Sequence, residues 1–370
     1  MARGNRRVVV PRKPARRMER IGDRCPCPRI GRRTPPMIPV PFIDLSRALA
    51  PIRAEVERAI VACIDRSSYL RGPETTAFEE EWAAFCGQSA AVCCNSGTDA
   101  LSLAAMALGL ATAVIPANTL PLTGIGLHRG GADVVIGEVD ENGWLARPSD
   151  HDVPVLIFGR TPAPNTPEAA LYDAAHAHGW QPPTGSAAAW SFYPTKTLGA
   201  LGDAGAVTTN DIDLAREMRN LCGRDDRFYD HRQLTSRIDE VQAAVLRVKL
   251  RHLPRWLDER KVLGAEYRRQ LGPLGICLQG ESFEHLFCIR TPQRDALKTY
   301  LAARGIATKL HWEAPLHRLA GPWTTPNPCP VADRWTATIL SLPIFPGLTF
   351  AEVGRICDEI GSFLGGISQA

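Results

Sequence analysis

The chain has no apolar run of membrane-spanning length, so a helical membrane protein is excluded and a soluble, cytoplasmic protein is expected. It has eleven cysteines but no Cys-x-x-Cys pair: Cys25 and Cys27 flank one proline, Cys93 and Cys94 are adjacent, and the rest are scattered singly. That spacing argues against a disulfide framework and against a zinc site, and it reads as reduced thiols with no metal. A dinucleotide-binding glycine fingerprint, an internal repeat and a clear signal-peptide segment are also missing. Acidic residues are nearly absent from residues 1–36, where twelve Arg or Lys stand against Glu19 and Asp23. That stretch carries a net charge of +10, which leaves the remainder about −6 although the whole chain is +4. It is Pro-rich and has no sustained apolar period, so residues 1–36 are expected to be a disordered basic tail. With the positive charge confined there, nucleic acid is not expected as a partner of the folded body.

What remains is an ordinary globular composition, 45% hydrophobic and 22% charged over 370 residues, enough for two domains. Its most informative stretch is Ser191-Phe192-Tyr193-Pro194-Thr195-Lys196, followed by Leu198-Gly199-Ala200-Leu201-Gly202-Asp203. A lysine between a proline and a glycine run, after the apolar segment Ala187–Trp190, puts an amine on a constrained loop at a strand end. Such an amine forms an imine with a carbonyl compound once desolvation lowers its pKa, and pyridoxal phosphate (PLP) is the commonest partner. Upstream, the apolar strand Ala90–Cys94 runs into Asn95-Ser96-Gly97-Thr98-Asp99-Ala100-Leu101 and a helix-forming run, Ser102–Leu108. Strand, glycine turn and helix leave unpaired N–H groups at a helix start, suited to a phosphate. Between these motifs, Ala170–Gly179 contains Asp173-Ala174-Ala175-His176, with an acid at the end of a buried strand, where it needs a cationic partner.

These three motifs, in this order, resemble the DegT-type sugar aminotransferases, a family of fold-type-I PLP-dependent enzymes, over roughly residues 38–365. The resemblance implies an α/β fold: a large domain with a mostly parallel sheet over 37–253, then a connecting helix and a small C-terminal α/β domain over 254–370. It implies that Lys196 carries PLP and shuttles the proton, and that Asp173 holds the pyridinium. Gly97, Thr98 and Ser191 would take the phosphate, and His176, where the family has Gln or His, the ring face or phenolic oxygen. His178 is expected to be structural. His311 and His317, in a His-aromatic segment, are the substrate-contact candidates. The implied reaction moves an amino group from glutamate or glutamine to the keto group of a nucleotide-linked deoxysugar, in a homodimer with shared sites. A keto-cyclitol acceptor is an alternative, as is a catalytically degenerate partner protein of the same fold; a sugar dehydratase of this type would have histidine in place of Lys196. Ile38–Leu45 resembles the opening of family proteins, so translation is expected to start near Met37.

The sequence departs from the family pattern at three places. Leu120 replaces a stacking aromatic, and Thr235 with Gln233 replaces the asparagine and glycine of a loop that reaches the partner's cofactor phosphate. The segment between Leu110 and Val155 is compressed, so an outer helix is expected to be shortened or lost. Elsewhere the periodicity predicts helices over Ser46–Cys63, Thr76–Cys86, Ser236–Leu250, Trp256–Leu271 and Arg294–Arg304. Strands are expected at Ala113–Ile115, Asp133–Ile136, Val153–Phe158, Val207–Asn210, His285–Arg290 and Ala307–Leu310.

Overall fold

The computed structural model describes residues 38–162, 167–223, 230–278, 280 and 282–367; the basic tail and the start near Met37 lie outside the described residues. Asp44 caps α1 (Leu45–Leu49) by accepting from the Ser46 N–H at 3.0 Å. The single helix expected over Ser46–Cys63 does not form, because Pro51 lacks an N–H, and a 3-10 turn at Ala50–Ile52 precedes α2 (Arg53–Arg66). Helix α3 (Pro73–Phe85) leads to β1 (Ala90–Cys94), α4 (Gly97–Leu108), β2 (Thr112–Pro116), α5 (Pro121–Arg129) and β3 (Asp133–Gly137). Next come β4 (Leu171–Asp173), β5 (Ala187–Ser191), β6 (Gly205–Thr209), α6 (Ile212–Leu221), α7 (Glu240–Leu250) and α8 (Leu253–Leu271). The chain ends with β7 (Phe287–Arg290), α9 (Arg294–Ala303), β8 (Trp323–Thr324), α10 (Pro330–Thr338), β9 (Ile339–Leu342) and α11 (Phe350–Ile367).

Four strands pair in the order β1-β6-β5-β4, with β6 antiparallel to both its neighbours and β5 parallel to β4. Strands β2, β3 and β8 form a second, parallel set. The expected strand Val153–Phe158 keeps one parallel bridge, Val155 with Asp173; a second, Val114 with Asp152, lies just before it, and the two lie between the two sets. It then turns sharply at Ile157–Gly159, where Phe158 takes a left-handed φ of 64°. No helix occurs between Trp144 and Val153, in keeping with the compressed sequence. Ala307–Leu310 likewise keeps a single bridge, Lys309 with Ser341, and Ile306 just before it bridges Val40.

Strand β1, and β5 up to Trp190, are apolar on both sides because both sheet faces are covered. Ala90, Val92 and Cys94 of β1 join Ala187 and Ala189 of β5 in one core, while Ala91 and Cys93 join Ala188 and Trp190 in the other. A third core gathers Tyr267 of α8, Leu297 and Leu301 of α9, and Ile356 and Ile360 of α11 over β7 and β9. Among the described residues no helix is long and apolar enough to cross a membrane, and the described cysteines are free thiols.

Helix α7 begins four residues later than its periodicity suggests. Ser236 is consumed elsewhere: its hydroxyl accepts from Asn95 N–H at 3.0 Å and donates to Asp99 Oδ2 at 2.7 Å, while Asp239 caps the helix. The next residue, Glu240, is fully buried, and its carboxylate accepts from the N–H groups of Gly72, Glu74 and Thr75, each at 2.9 Å, and from the Thr75 hydroxyl. One side chain therefore closes the open end of α3. Glu240→Ala orphans those donors and is expected to destabilise the protein by about 3 kcal/mol, read as a lowered melting temperature; an unchanged transition would refute the cap.

Candidate active site

The strand-to-helix turns converge on one cavity of about 460 Å³. Ser96, Gly97 and Thr98 enter from the end of β1, Thr119, Leu120 and Thr123 from the segment after β2, and Asp173 and His176 from the end of β4. Ser191 ends β5 and Tyr193 and Lys196 follow it, Asp203 and Ala204 precede the antiparallel β6, and Trp312 enters from the C-terminal region.

Ser96 caps α4 by accepting from the Asp99 N–H at 3.1 Å. The N–H groups of Gly97 and Thr98, one and two positions into the helix, have no intrahelical acceptor and form a positive rim. A Cβ at residue 97 would lie 2.8 Å from Ser191 Cβ, so only glycine lets the two motifs meet. Arg129 and Ser236 hold Asp99 at 3.1 and 2.7 Å, which fixes this helix start.

Asp173 is buried, and Thr123 Oγ1 donates to its Oδ2 at 2.8 Å while the Ala175 N–H donates to Oδ1 at 3.1 Å. Burial raises its pKa, and these two bonds and the Lys196 charge only partly offset that rise. Lys196 is enclosed by protein and exposed only in part; burial lowers its amine to about 8, with Asp173 opposing the shift. The lysine loop is fixed by backbone bonds from Lys196 N to Tyr193 O (2.8 Å) and Ala200 N to Phe192 O (2.8 Å), and by Lys249 Nζ donating to Gly199 O (2.6 Å). Lys196 and Asp173 line the same cavity yet make no ion pair with each other within 4 Å, among the described residues.

The chain matches the DegT/DnrJ/EryC1/StrS aminotransferase family over residues 51–163 and 169–361. It belongs to that family. A dTDP-3-amino-3,4,6-trideoxy-alpha-D-glucose transaminase of Streptomyces venezuelae is 36% identical over 370 residues, covering 90% of this chain and 98% of the relative. The erythromycin biosynthesis sensory transduction protein EryC1 of Saccharopolyspora erythraea is also 36% identical, over 84% of this chain and 95% of its own. The crystal structure of S. venezuelae DesV, in complex with a ketimine intermediate, superposes with a TM-score of 0.81 at 35% identity over 88% of this chain and 98% of that one. The fold is therefore that of a PLP-dependent aminotransferase of the DegT/DnrJ/EryC1/StrS family, with β6 as the strand that runs against its neighbours.

The donor set of this family member fits PLP. A phosphate needs N–H and hydroxyl donors, a pyridinium needs a carboxylate, and an aldehyde needs a neutral amine. The cavity offers the Gly97–Thr98 helix start with Ser191, the Asp173 carboxylate, and the Lys196 amine. That carboxylate and amine, both drawn toward neutrality by burial and not paired to each other, are groups a ligand with complementary ends would satisfy.

Of the residues singled out by sequence, Gly97, Thr98, Asp173, His176, Ser191 and Lys196 all line this cavity. His311 and His317 do not, among the cavity-lining residues. His311 Nδ1 lies 2.7 Å from Ser341 Oγ, and burial lowers its pKa to about 4. His317 Nε2 is 3.0 Å from Asp333, which Arg318 also holds, so its ring packs α10 rather than the cavity. His178 is buried, accepts from the Leu198 N–H at 3.3 Å and stacks on Trp190 and Phe192. The cavity-lining residues that sequence reasoning missed include Thr123 and Trp312. Thr123 carries no pattern beyond a hydroxyl two residues after Pro121, whereas Trp312 stood in the very segment whose histidines drew attention. Leu120 lines the cavity where a stacking ring was expected, and Thr235 is exposed at the end of a loop whose residues 224–229 lie outside the described residues.

Proposed function

We propose that this aminotransferase uses PLP to move an amino group from glutamate or glutamine to the keto group of a nucleotide-linked deoxysugar, in amino-sugar or antibiotic biosynthesis. The observation that carries the reading is that the Lys196 amine and the Asp173 carboxylate, not paired to each other, line one cavity with the open start of α4. The sugar class is supported by the 36% identity to the S. venezuelae dTDP-sugar transaminase over nearly its whole length.

When bound, PLP supplies an electron sink that lets the C–H bond beside an amine ionise. Lys196 would hold the cofactor through its amine, and when released would carry the proton between the substrate carbon and the cofactor. Asp173, steadied by Thr123 and the Ala175 N–H, would keep the ring nitrogen protonated. Gly97 and Thr98 N–H groups with the Thr98 and Ser191 hydroxyls would hold the phosphate. Leu120 and Trp312, apolar walls of the cavity, would limit water at the reacting groups. A homodimer with shared sites is part of this proposal, supported by exposed Tyr69, Leu70, Leu122, Tyr193 and Leu201.

The first test is an absorbance spectrum of the purified protein with PLP, before and after glutamate or glutamine, then turnover against keto-sugars and keto-cyclitols. A covalent PLP band that converts on adding the donor is expected; a protein that takes up no PLP sinks the reading and favours a degenerate partner protein. Only the neutral amine attacks the aldehyde, and Lys196 is lowered from 10.5 to about 8, so the rate of PLP capture is expected to rise with pH and level off above about 8. Stopped-flow absorbance reads this, and a rate still climbing beyond pH 10 would contradict it.

A further inference from the structure

The sharp turn Ile157–Gly159 ties the cofactor-site region to the C-terminal region through three bonds. The Phe158 N–H donates to His176 Nδ1 at 3.2 Å, while Phe158 O accepts from Leu286 N at 3.1 Å and Gly159 O from Phe283 N at 2.8 Å. The turn needs left-handed backbone at Phe158 (φ 64°) and Gly159 (φ +87°), and a Cβ at 159 would lie 2.9 Å from His176 O. Sparsely populated conformations of this kind persist where the surroundings over-determine them.

Those surroundings include a second imidazole. His285 is buried and stacks on His176 with ring centroids 4.3 Å apart and planes tilted by 36°. Its own Nδ1 lies 3.4 Å from Thr197 Oγ1, beside the cofactor lysine, and Arg260 Nη1 anchors its carbonyl at 3.2 Å. Trp312 stacks beyond His176 at 6.3 Å. The charged and titratable groups around His176 are Lys196, His311, His178 and the stacked His285; burial first, and then the Lys196 charge, hold it neutral.

A neutral imidazole has one N–H, and a nitrogen that accepts a hydrogen bond is the unprotonated one. We infer that His176 is locked as the Nε2–H tautomer by the Phe158 N–H, a fixed hydrogen-bond donor to the cavity, and that His285 is the positioning residue that keeps it there. His176 then has no lone pair to offer the cavity and does not act as the base, leaving proton transfer to Lys196. The lock itself stands without cofactor; its consequence for chemistry rests on the PLP site proposed above.

The test uses full-length protein with ¹⁵N-labelled histidine and no PLP, read by two-bond proton–nitrogen correlations. The His176 signals are those missing from His176→Gln. One set is expected, with the proton on Nε2 and Nδ1 unprotonated, and no titration between pH 6 and 9. A proton on Nδ1, or an imidazolium at pH 7, overturns the lock. His285→Ala is expected to lose the single-tautomer pattern and His285→Phe, which keeps the stack, to retain it; an unchanged pattern in His285→Ala overturns the positioning role. Should that variant not fold, His285→Leu fills the space without an aromatic face and carries the same test. With PLP added, His176→Gln still offers an N–H and is expected to keep the wild-type cofactor absorbance maximum, whereas His176→Phe is expected to shift it. The same shift in His176→Gln would overturn the donor role. Failure of wild-type protein to take up PLP would overturn the cofactor reading while the tautomer measurement stands.

Discussion

Lys196→Ala is expected to abolish transaminase turnover, by at least about 10²–10⁴-fold, the range for a positioned acid–base group, before counting the lost covalent attachment. The geometry makes the loss specific. The loop that carries Lys196 is held by its own backbone and by Lys249 on Gly199, so the alanine variant keeps its shape and loses only the amine. Lys196→Arg separates charge from chemistry, because a guanidinium stays protonated and neither condenses with an aldehyde nor shuttles protons. Both variants should be inactive in formation of the amino product and should lose the covalent PLP band. Full turnover in Lys196→Ala would remove the basis of the proposed function, and activity in Lys196→Arg would reduce the lysine to an electrostatic role.

Asp173→Asn is the second large effect, and it has opposite signs with and without cofactor. With PLP bound, it removes one partner of a buried charge pair, a loss of roughly 3–5 kcal/mol. Turnover should fall by about two to three and a half powers of ten, since each 1.4 kcal/mol is a factor of ten. Without PLP, the carboxylate is buried and its pKa is raised, chiefly by desolvation. A carboxyl whose folded pKa exceeds its unfolded value binds more protons folded than unfolded, so stability falls as pH rises through that window and the penalty is complete above it. At neutral pH the asparagine variant should therefore melt higher than wild type when PLP is absent and gain less from adding PLP. Thermal melts of both proteins, each with and without PLP, read the crossover; parallel shifts in the two states would show that Asp173 is a packing residue.

How much of this was legible depended on the range over which each feature is determined. The run Ala90–Cys94, its glycine turn and the helix beyond were readable because strand, cap and helix are local, and the structure places the β1 and α4 motif as read. Lys196 was readable for the same reason: Pro194, Gly199 and Gly202 constrain the loop wherever it sits. The start of α7 was not, because Ser236 is claimed by Asp99 and Asn95 from another motif. Val153–Phe158 looked like one strand because its residues are apolar throughout, yet Phe158 is needed to turn the chain back onto His176 and Leu286. His311 and His317 were assigned to substrate because their His-aromatic segment resembles a site-proximal segment of the family; Ser341 and Asp333, which claim them, are visible only in three dimensions. Local sequence thus located the groups proposed for cofactor chemistry, and distant contacts decided which neighbours support them.

The antiparallel strand β6 also governs when the sheet can be completed during synthesis. Strand β1 pairs only with β6 among the described strands, Ala90 opposite Thr209 and Cys94 opposite Gly205. A nascent chain that has emerged as far as Lys196 therefore presents β1 and β5 with a gap between them, two apolar edges awaiting the same insert. Until Gly205–Thr209 leaves the ribosome those edges lack their partner from this chain, the kind of open edge that pairs with other chains. The Gly97–Ser191 contact lies within the same assembly, so the proposed phosphate cradle would be complete only once β6 seats.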